Sequence, residues 1–183
     1  MLDKKIFQQT YKWEKGFVNV EHDKGGLTND GITYKFYVAW CSKVLGFPPN
    51  LKHFKKMSMT EKRKFYNHLW ERLMLDKVKN PIVAAVCYDF CFNSGMAKRE
   101  IQKVLQGYGY VLAADNILGP ITIGTINRAI QDKGHLVVSL DILNARQQYV
   151  ESLVERDATQ AKFLKGWTNR INDWKEFAIN WVF

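Results

Sequence analysis

Glu14 and Asp23 are the two residues whose type and spacing most suggest chemistry. They stand nine positions apart, on either side of a break in the helical pattern. Glu14 closes an apolar face made by Ile6, Thr10, Trp13 and Phe17, which recur at spacings of three and four. Gly16 follows, and from 17 to 30 the helical signal fails in a stretch that carries Asp23, Gly25-Gly26, Thr28 and Asp30 before Gly31-Ile32-Thr33. Glycines permit positive φ and a close approach of the backbone to another group. An acid at a helix end and a second acid in a polar loop suit glycosidic hydrolysis. One protonates the leaving oxygen, and the other directs water or attacks the sugar. The proton donor must stay protonated near neutral pH, which desolvation favours. Trp13 and Phe17 flank Glu14 in the way that requirement asks. Lys15 opposes it only modestly, because neighbours i and i+1 on a helix do not face each other. Asp30 competes with Asp23 for the second role, as does a mechanism that uses Glu14 alone. The same residues could also be a surface loop whose Asp and Gly merely make turns.

The elements that would position these groups are helical. A helix is expected over 3–15, with Glu14 in its last turn, followed by a short hairpin around Gly25-Gly26. Thr33 is a good N-cap for a helix over 34–45, with Tyr37, Val38, Cys41, Val44 and Leu45 inward and Gly46 ending it. Ser58-Met-Thr-Glu61 is a capping box that opens a helix to about Met74 and carries Phe65, Tyr66 and Trp70. Asn80-Pro81 starts a helix that is apolar nearly all round, the mark of a buried central element, though Asp89 and Asn93 interrupt it. Further helices are expected over 97–107, after Pro120 to about Asp132, and from Leu136 to about Asp157. Trp167, Trp174 and Trp181 recur at seven-residue steps in the last segment, which favours core packing over sugar stacking.

Composition narrows the class. The 183 residues suit one compact domain or two small lobes, with 46% hydrophobic and 25% charged residues. The net charge of +9 implies attraction to polyanions. The densest basic run, Lys52 to Lys64, reads as a solvated helix face, and no nucleic-acid-binding pattern accompanies it. Cys41, Cys87 and Cys91 lie in apolar helical patterns and read as reduced core residues, with no further ligands spaced for zinc. No apolar run is long enough to span a bilayer, and the N-terminus lacks the apolar stretch of a secretory signal. The expectation is synthesis in the cytoplasm, with export by another route or release by lysis if the protein acts outside it.

The block from Glu14 to Thr33 resembles the signature of glycoside hydrolase family 108, which has Glu-Gly-Gly, a spacer, Asp-x-Gly-Gly-x-Thr and Gly-Ile-Thr. Glu14, Gly16, Asp23, Gly25, Gly26, Thr28, Gly31, Ile32 and Thr33 stand in those places, with Lys15 where the family has its first Gly. Asp89-Phe-Cys-Phe-Asn93-Ser-Gly95 keeps the family's Asn-x-Gly with one extra residue of spacing. Asp115-Asn116-Ile-Leu-Gly119-Pro120-Ile-Thr122 resembles the Asp-Gly-x-x-Gly-Pro-x-Thr element of the peptidoglycan-binding half, with Asn116 for Gly. The chain also shares the late Gly166-Trp167-x-x-Arg170 element. The separation of Glu14 and Asp23 is also that of the catalytic pair of phage-type lysozymes, although Thr28 follows Asp23 by five residues rather than six.

The resemblance implies an all-α, lysozyme-like fold with a small β-hairpin beside the active-site cleft. It implies a hydrolase region over 1–92 and a peptidoglycan-binding region over 93–183, packed as one compact unit. The implied activity is an N-acetylmuramidase that cleaves the β-1,4 bond between N-acetylmuramic acid and N-acetylglucosamine. Glu14, Asp23 and Thr28 would be catalytic, in a reaction that inverts configuration. Gly25, Gly26, Gly31, Thr33, Tyr66, Asp89 and Asn93 would shape or bind the substrate site. No metal or cofactor is implied, since two carboxyl groups and a water suffice. The partner is peptidoglycan, not nucleic acid or a membrane interior, with a monomer as the expected state. Two other classes stay open: a peptidoglycan-binding or secretion-assisting protein that has lost turnover, and a basic nucleic-acid-binding protein with steep salt dependence.

Overall fold

The computed structural model describes residues 1–14, 16–18 and 26–181, so Lys15, 19–25 and 182–183 lie outside the described set. Among the described residues the chain is all-α, with nine helices and one small three-stranded antiparallel sheet. It forms two compact units, Met1–Arg72 and Leu73–Phe183.

Met1–Arg72 contains α1 (Lys4–Tyr11), β1 (Phe17–Val18), β2 (Thr28–Asn29), β3 (Ile32–Thr33), α2 (Tyr34–Leu45), α3 (Leu51–Lys55) and α4 (Met59–Arg72). Asp3 caps α1 by accepting from the N–H groups of Lys5 and Ile6. The helix ends at Tyr11, earlier than the periodicity implies. Two tighter turns follow, Trp13 N–H to Thr10 O and Glu14 N–H to Tyr11 O at 3.0 Å, so Glu14 sits beyond the helix rather than in its last turn.

The sheet pairs Phe17 with Asn29 and Val18 with Thr28, then Thr28 with Thr33 and Asn29 with Ile32. β1 and β2 thus pair antiparallel on either side of the segment that holds Gly25-Gly26, and a second, tighter hairpin joins β2 to β3 through Asp30-Gly31. Both turn residues have positive φ, 46° and 74°, as a two-residue type I′ turn requires. Asn29 is buried, and its amide donates to Phe54 O at 2.6 Å, which fastens the hairpin to α3.

Thr33 caps α2 as expected, accepting from Phe36 N–H at 3.1 Å, and Gly46 ends it in the left-handed conformation. The inward face of α2 is narrower than its apolar pattern suggests. Tyr37 and Cys41 are buried, but Val38 is 43% exposed because the apolar residues of α2 extend round onto the solvent side. Tyr37, Phe54 and Phe65 have no exposed surface and pack ring against ring, Tyr37 to Phe54 at 5.1 Å and to Phe65 at 5.7 Å. The capping box of α4 forms in full. Ser58 N–H reaches Glu61 at 2.8 Å, and Glu61 N–H returns to the Ser58 hydroxyl.

Leu73–Phe183 contains a 3-10 turn (Leu75–Lys77), then α5 (Pro81–Asn93), α6 (Ala97–Gly107), α7 (Pro120–Lys133), α8 (His135–Arg156), a second 3-10 turn and α9 (Ala161–Ile179). Asn80 caps α5 through bonds from the N–H groups of Ile82 and Val83. Every residue from Ile82 to Phe90 is buried, because α5 packs against α6, α8 and α9 together. Each fully buried Val, Ile or Phe of that helix contributes roughly 1.5–3 kcal/mol against exposure. Trp174 is fully buried in α9, as its spacing implied, while Trp167 and Trp181 are only partly covered. The three cysteines are free, and burial pushes the thiols of Cys87 and Cys91 upward, Cys91 to about 12.

Candidate active site

Glu14 is half-buried in the turn that follows α1. What fixes this turn is Asp30, at the tip of the hairpin. Its Oδ1 accepts from Gly16 N–H at 2.7 Å, and its own N–H donates to Gly16 O at 2.9 Å. Gly16 has φ 126°, which explains why a glycine stands two residues after the acid. Oδ2 of Asp30 accepts from the Tyr11 hydroxyl at 2.7 Å and from Lys62 Nζ at 2.8 Å. The Asp30 carbonyl accepts from the Tyr66 hydroxyl at 2.8 Å. Tyr11 precedes Glu14 by three residues and Gly16 follows it by two, so a single aspartate holds the chain on both sides of the glutamate. Tyr11 is set in turn by stacking on Phe7 at 5.4 Å and an edge contact with Tyr66 at 6.2 Å.

Electrostatics agree with this positioning role. Burial by itself would raise the Asp30 carboxyl. The hydrogen bonds from Lys62, Gly16 and Tyr11, with the charge of Lys62, outweigh it and hold the group below the ordinary aspartate value. Burial and the bond to Asp30 push the Tyr11 phenol up to about 12, so it remains a donor at neutral pH. Asp30 is only 8% exposed and held ionised, and both of its carboxylate oxygens accept hydrogen bonds that fix the turn. An Asp-Gly pair between short β segments is the sequence signal that would have found this turn. Nothing in the sequence spacing pointed to Tyr11 or Lys62 as its partners.

The remaining predicted residues fall into three groups. Asp23 and Gly25 lie outside the described residues. Thr28, Gly26, Gly31 and Thr33 gather on or beside the hairpin, with Thr28 cross-strand from both Val18 and Thr33. Gly26 and Gly31 have φ of 63° and 74°, so both positions need glycine for conformation. The Thr33 hydroxyl is committed to capping α2. Tyr66 and Asp89, expected to meet substrate, have no exposed surface and serve as internal supports. Tyr66 holds the hairpin tip. Asp89 accepts from Arg146 Nη1 at 2.7 Å and from Arg170 Nε and Nη2 at 2.9 and 2.6 Å, tying α5 to α8 and α9. Asn93 is exposed at the end of α5 and lines a cavity of about 180 Å³ with Ser94, Gly95, Arg146, Tyr149 and Trp167. Two motifs far apart in the sequence, Asn93-Ser94-Gly95 and Gly166-Trp167-x-x-Arg170, thus meet in one place. Asn116 has φ 64° in the position where the resembling element has Gly. Its side chain accepts from Arg99 N–H and donates to Gly95 O at 2.8 Å. Among the described residues no group of three or more His, Cys, Asp or Glu is placed to hold a metal.

Comparison with known proteins agrees with this architecture. The structure of Brucella abortus SagA is similar, with a TM-score of 0.72 and 24% sequence identity over 96% of this chain and 92% of that chain. At that identity the likeness concerns the fold. None of the curated proteins matches the sequence. No helix among the described residues is long and apolar enough to cross a membrane. Residues 7–95 match the family model described as Glycosyl hydrolase 108, and residues 96–172 match the one described as Predicted Peptidoglycan domain. Residues 7–95 are thus a glycoside hydrolase family 108 region with a lysozyme-like fold, and residues 96–172 a peptidoglycan-binding region.

Proposed function

We propose that this glycosidase is an N-acetylmuramidase, hydrolysing the β-1,4 bond between N-acetylmuramic acid and N-acetylglucosamine in peptidoglycan. Glu14 is the general acid that protonates the leaving oxygen. The observation that supports this role most is the clamp at Asp30, which grips Tyr11 and Gly16 and so holds the backbone on either side of Glu14. A general acid must be delivered to one oxygen within hydrogen-bond reach, and a fixed backbone serves that end. The hairpin beside it carries Thr28, which with Asp23 orients the attacking water on the opposite face of the sugar. Gly25, Gly26 and Gly31 shape that loop for substrate, and Asn93 contributes to glycan or stem-peptide binding in the second region. Hydrolase function extends over 1–92, and peptidoglycan binding over 93–183.

The direct test is Glu14→Gln, which keeps size and hydrogen bonding but removes the acidic proton. Turnover of purified peptidoglycan should fall by ~10²–10⁴-fold or more, with wall binding retained. Near-normal release of reducing ends in that variant would reject Glu14. The stereochemistry tests the second carboxylate. Inversion corresponds to carboxyl groups roughly 6.5–9.5 Å apart and retention to about 5–5.5 Å. Proton NMR of freshly released ends should show the α anomer first, and Asp23→Asn should lose most of the activity. An initial β anomer would exclude Asp23 as the group that directs water.

A further inference from the structure

The positive charge of the chain is unevenly divided. Met1–Arg72 holds 14 Lys and Arg against 7 Asp and Glu, a net +7, whereas Leu73–Phe183 holds 13 against 11, a net +2. Within Met1–Arg72, α4 presents two stripes. Lys62, Phe65 and Tyr66 face the hairpin and the core. Arg63, Lys64, Asn67 and Glu71, at spacings of three and four, form another. This second stripe lines a cavity of about 440 Å³ together with His68, and with Lys43 from the end of α2.

Three cationic side chains line the cavity beside Met1, Val44 and Thr60, against one carboxylate, Glu71, whose Oε1 is already bonded to the Asn67 amide at 2.6 Å. One wall is His68, 8% exposed, with its ring 4.6 Å from that of Trp40. Nε2 of His68 is buried and has no hydrogen-bond partner among the described residues, an uncommon state for a buried polar atom. The Arg72 guanidinium covers Trp40 at 4.2 Å, with Lys43 at 5.6 Å from the same ring. Burial, followed by the charges of Lys43 and Arg72, holds His68 below the ordinary histidine value despite Glu71. The wall of the cavity is therefore a region of positive potential, on a stripe of α4 separate from the one that serves the Glu14 turn.

We propose that this cavity is a binding site for a phosphate ester, of the kind carried by a glycerol-phosphate polymer attached to the cell wall, with Lys43, Arg63 and Lys64 as the anion's partners. Lysines act as point charges that can approach the free oxygens of a tetrahedral phosphate from different sides, and the Arg63 fork can take two of those oxygens at once. A recess of this size admits one esterified phosphate with its glycerol, whereas bilayer docking calls for an apolar face flanked by basic residues lying in the interface plane. The choice of a wall polymer as the source rests on the peptidoglycan reading, whereas binding of the phosphate ester itself would stand if Glu14 proved not to be catalytic.

The test is calorimetric titration of the whole chain with glycerol 3-phosphate, with glycerol and acetate as controls. Saturable binding of the phosphate ester alone is expected. It should weaken about tenfold or more in Lys43→Ser/Lys64→Ser, given the strength of charge-assisted bonds, and much less in the charge-matched Lys52→Ser/Lys56→Ser. Lys52 and Lys56 are exposed residues at α3 outside the cavity. A second readout does not depend on the lysine variants. Lys43 on α2 and Lys64, Arg72 and Glu71 on α4 surround His68, so a bound anion should offset the cations and raise the pH at which the imidazole titrates by NMR. Equal weakening in both lysine pairs would show a diffuse polyanion effect and overturn the site, as would an unmoved His68. Cosedimentation with phosphatidylglycerol vesicles that depends on Lys43 and Lys64, without binding of glycerol 3-phosphate, would replace it with a membrane-facing surface.

Discussion

Asp30 in Met1–Arg72 and Asp89 in Leu73–Phe183 are both carboxylates taken out of water and held ionised by cations, yet they serve different ends. Asp89 has no exposed surface and two guanidiniums, and its three charge-assisted bonds join helices distant in sequence. Asp30 keeps 8% of its surface and has one lysine, one phenol and one backbone N–H, all engaged in fixing a turn. The first is an internal tie between helices whose faces are already apolar. The second fixes a turn, and two of its partners, Tyr11 and Gly16, stand on either side of the proposed catalytic acid. A helix bundle needs a polar tie only to set the register of its members. A site built on a turn and two-residue strands has little apolar area to fix it and relies on directional bonds instead.

The largest effect should come from the tie. Asp89→Asn leaves two buried guanidiniums without a counter-charge and should cost about 3–5 kcal/mol, read as a shift in the denaturant midpoint. Amide exchange should quicken first in α5, α8 and α9. If the hairpin amides lost protection to the same extent, the two aspartates would belong to one cooperative unit and the contrast would fail.

Asp30→Asn comes next. It keeps an acceptor oxygen for Tyr11 but loses the ion pair with Lys62 and turns an NH2 group toward Gly16 N–H, for a cost of roughly 1–3 kcal/mol. Hydrolysis should fall by more than that loss of stability explains, and kcat should suffer more than KM if Glu14 is held less well. The pH dependence gives an independent check. Because the folded-state carboxyl lies below its unfolded value, its stabilisation is complete above pH ~4 and is lost as pH falls below that through the lower folded value. Wild type should therefore lose more stability than Asp30→Asn across that acid window. Identical slopes would show that Asp30 is not held ionised by its neighbours.

The same contrast explains what the sequence made legible. Helix starts were readable because their signals are local: Thr33 at α2, Ser58 with Glu61 at α4 and Asn80-Pro81 at α5 all cap as their chemistry implies. The burial of α5 was readable from apolar residues on every side. Asp89 was placed toward substrate because a polar residue in an apolar helix has the same appearance whether it faces a cleft or a buried partner, and Tyr66 because a phenol looks the same whether it meets a ligand or a buried carbonyl. Arg146 and Arg170, the partners of Asp89, lie 57 and 81 residues away, and no spacing rule connects them. Asp30 was weighed as a catalyst because its type fits that chemistry. Its bonds to Tyr11, Gly16 and Lys62, which spacing alone could not reveal, are what favour a positioning role.

The smallest effects should come from two left-handed positions, one in each unit. Gly31, at φ 74°, completes the hairpin turn. Ala there must adopt a strained conformation at a cost of roughly 1–2 kcal/mol, with no new bond in return. Asn116, at φ 64°, is a non-glycine residue already in that region, and its side chain bonds Arg99 N–H and Gly95 O. Asn116→Gly relieves backbone strain of about 1 kcal/mol, while loss of the two solvent-exposed bonds and the freer unfolded chain together cost somewhat more than that. The net change should be under ~1 kcal/mol, and smaller than that of Gly31→Ala. Activity separates the pair further. Gly31→Ala should lower turnover through the Asp30 clamp, whereas Asn116→Gly should leave turnover on soluble fragments unchanged. If Asn116→Gly reduced hydrolysis as much as Gly31→Ala, the assignment of positioning to Met1–Arg72 alone would be wrong.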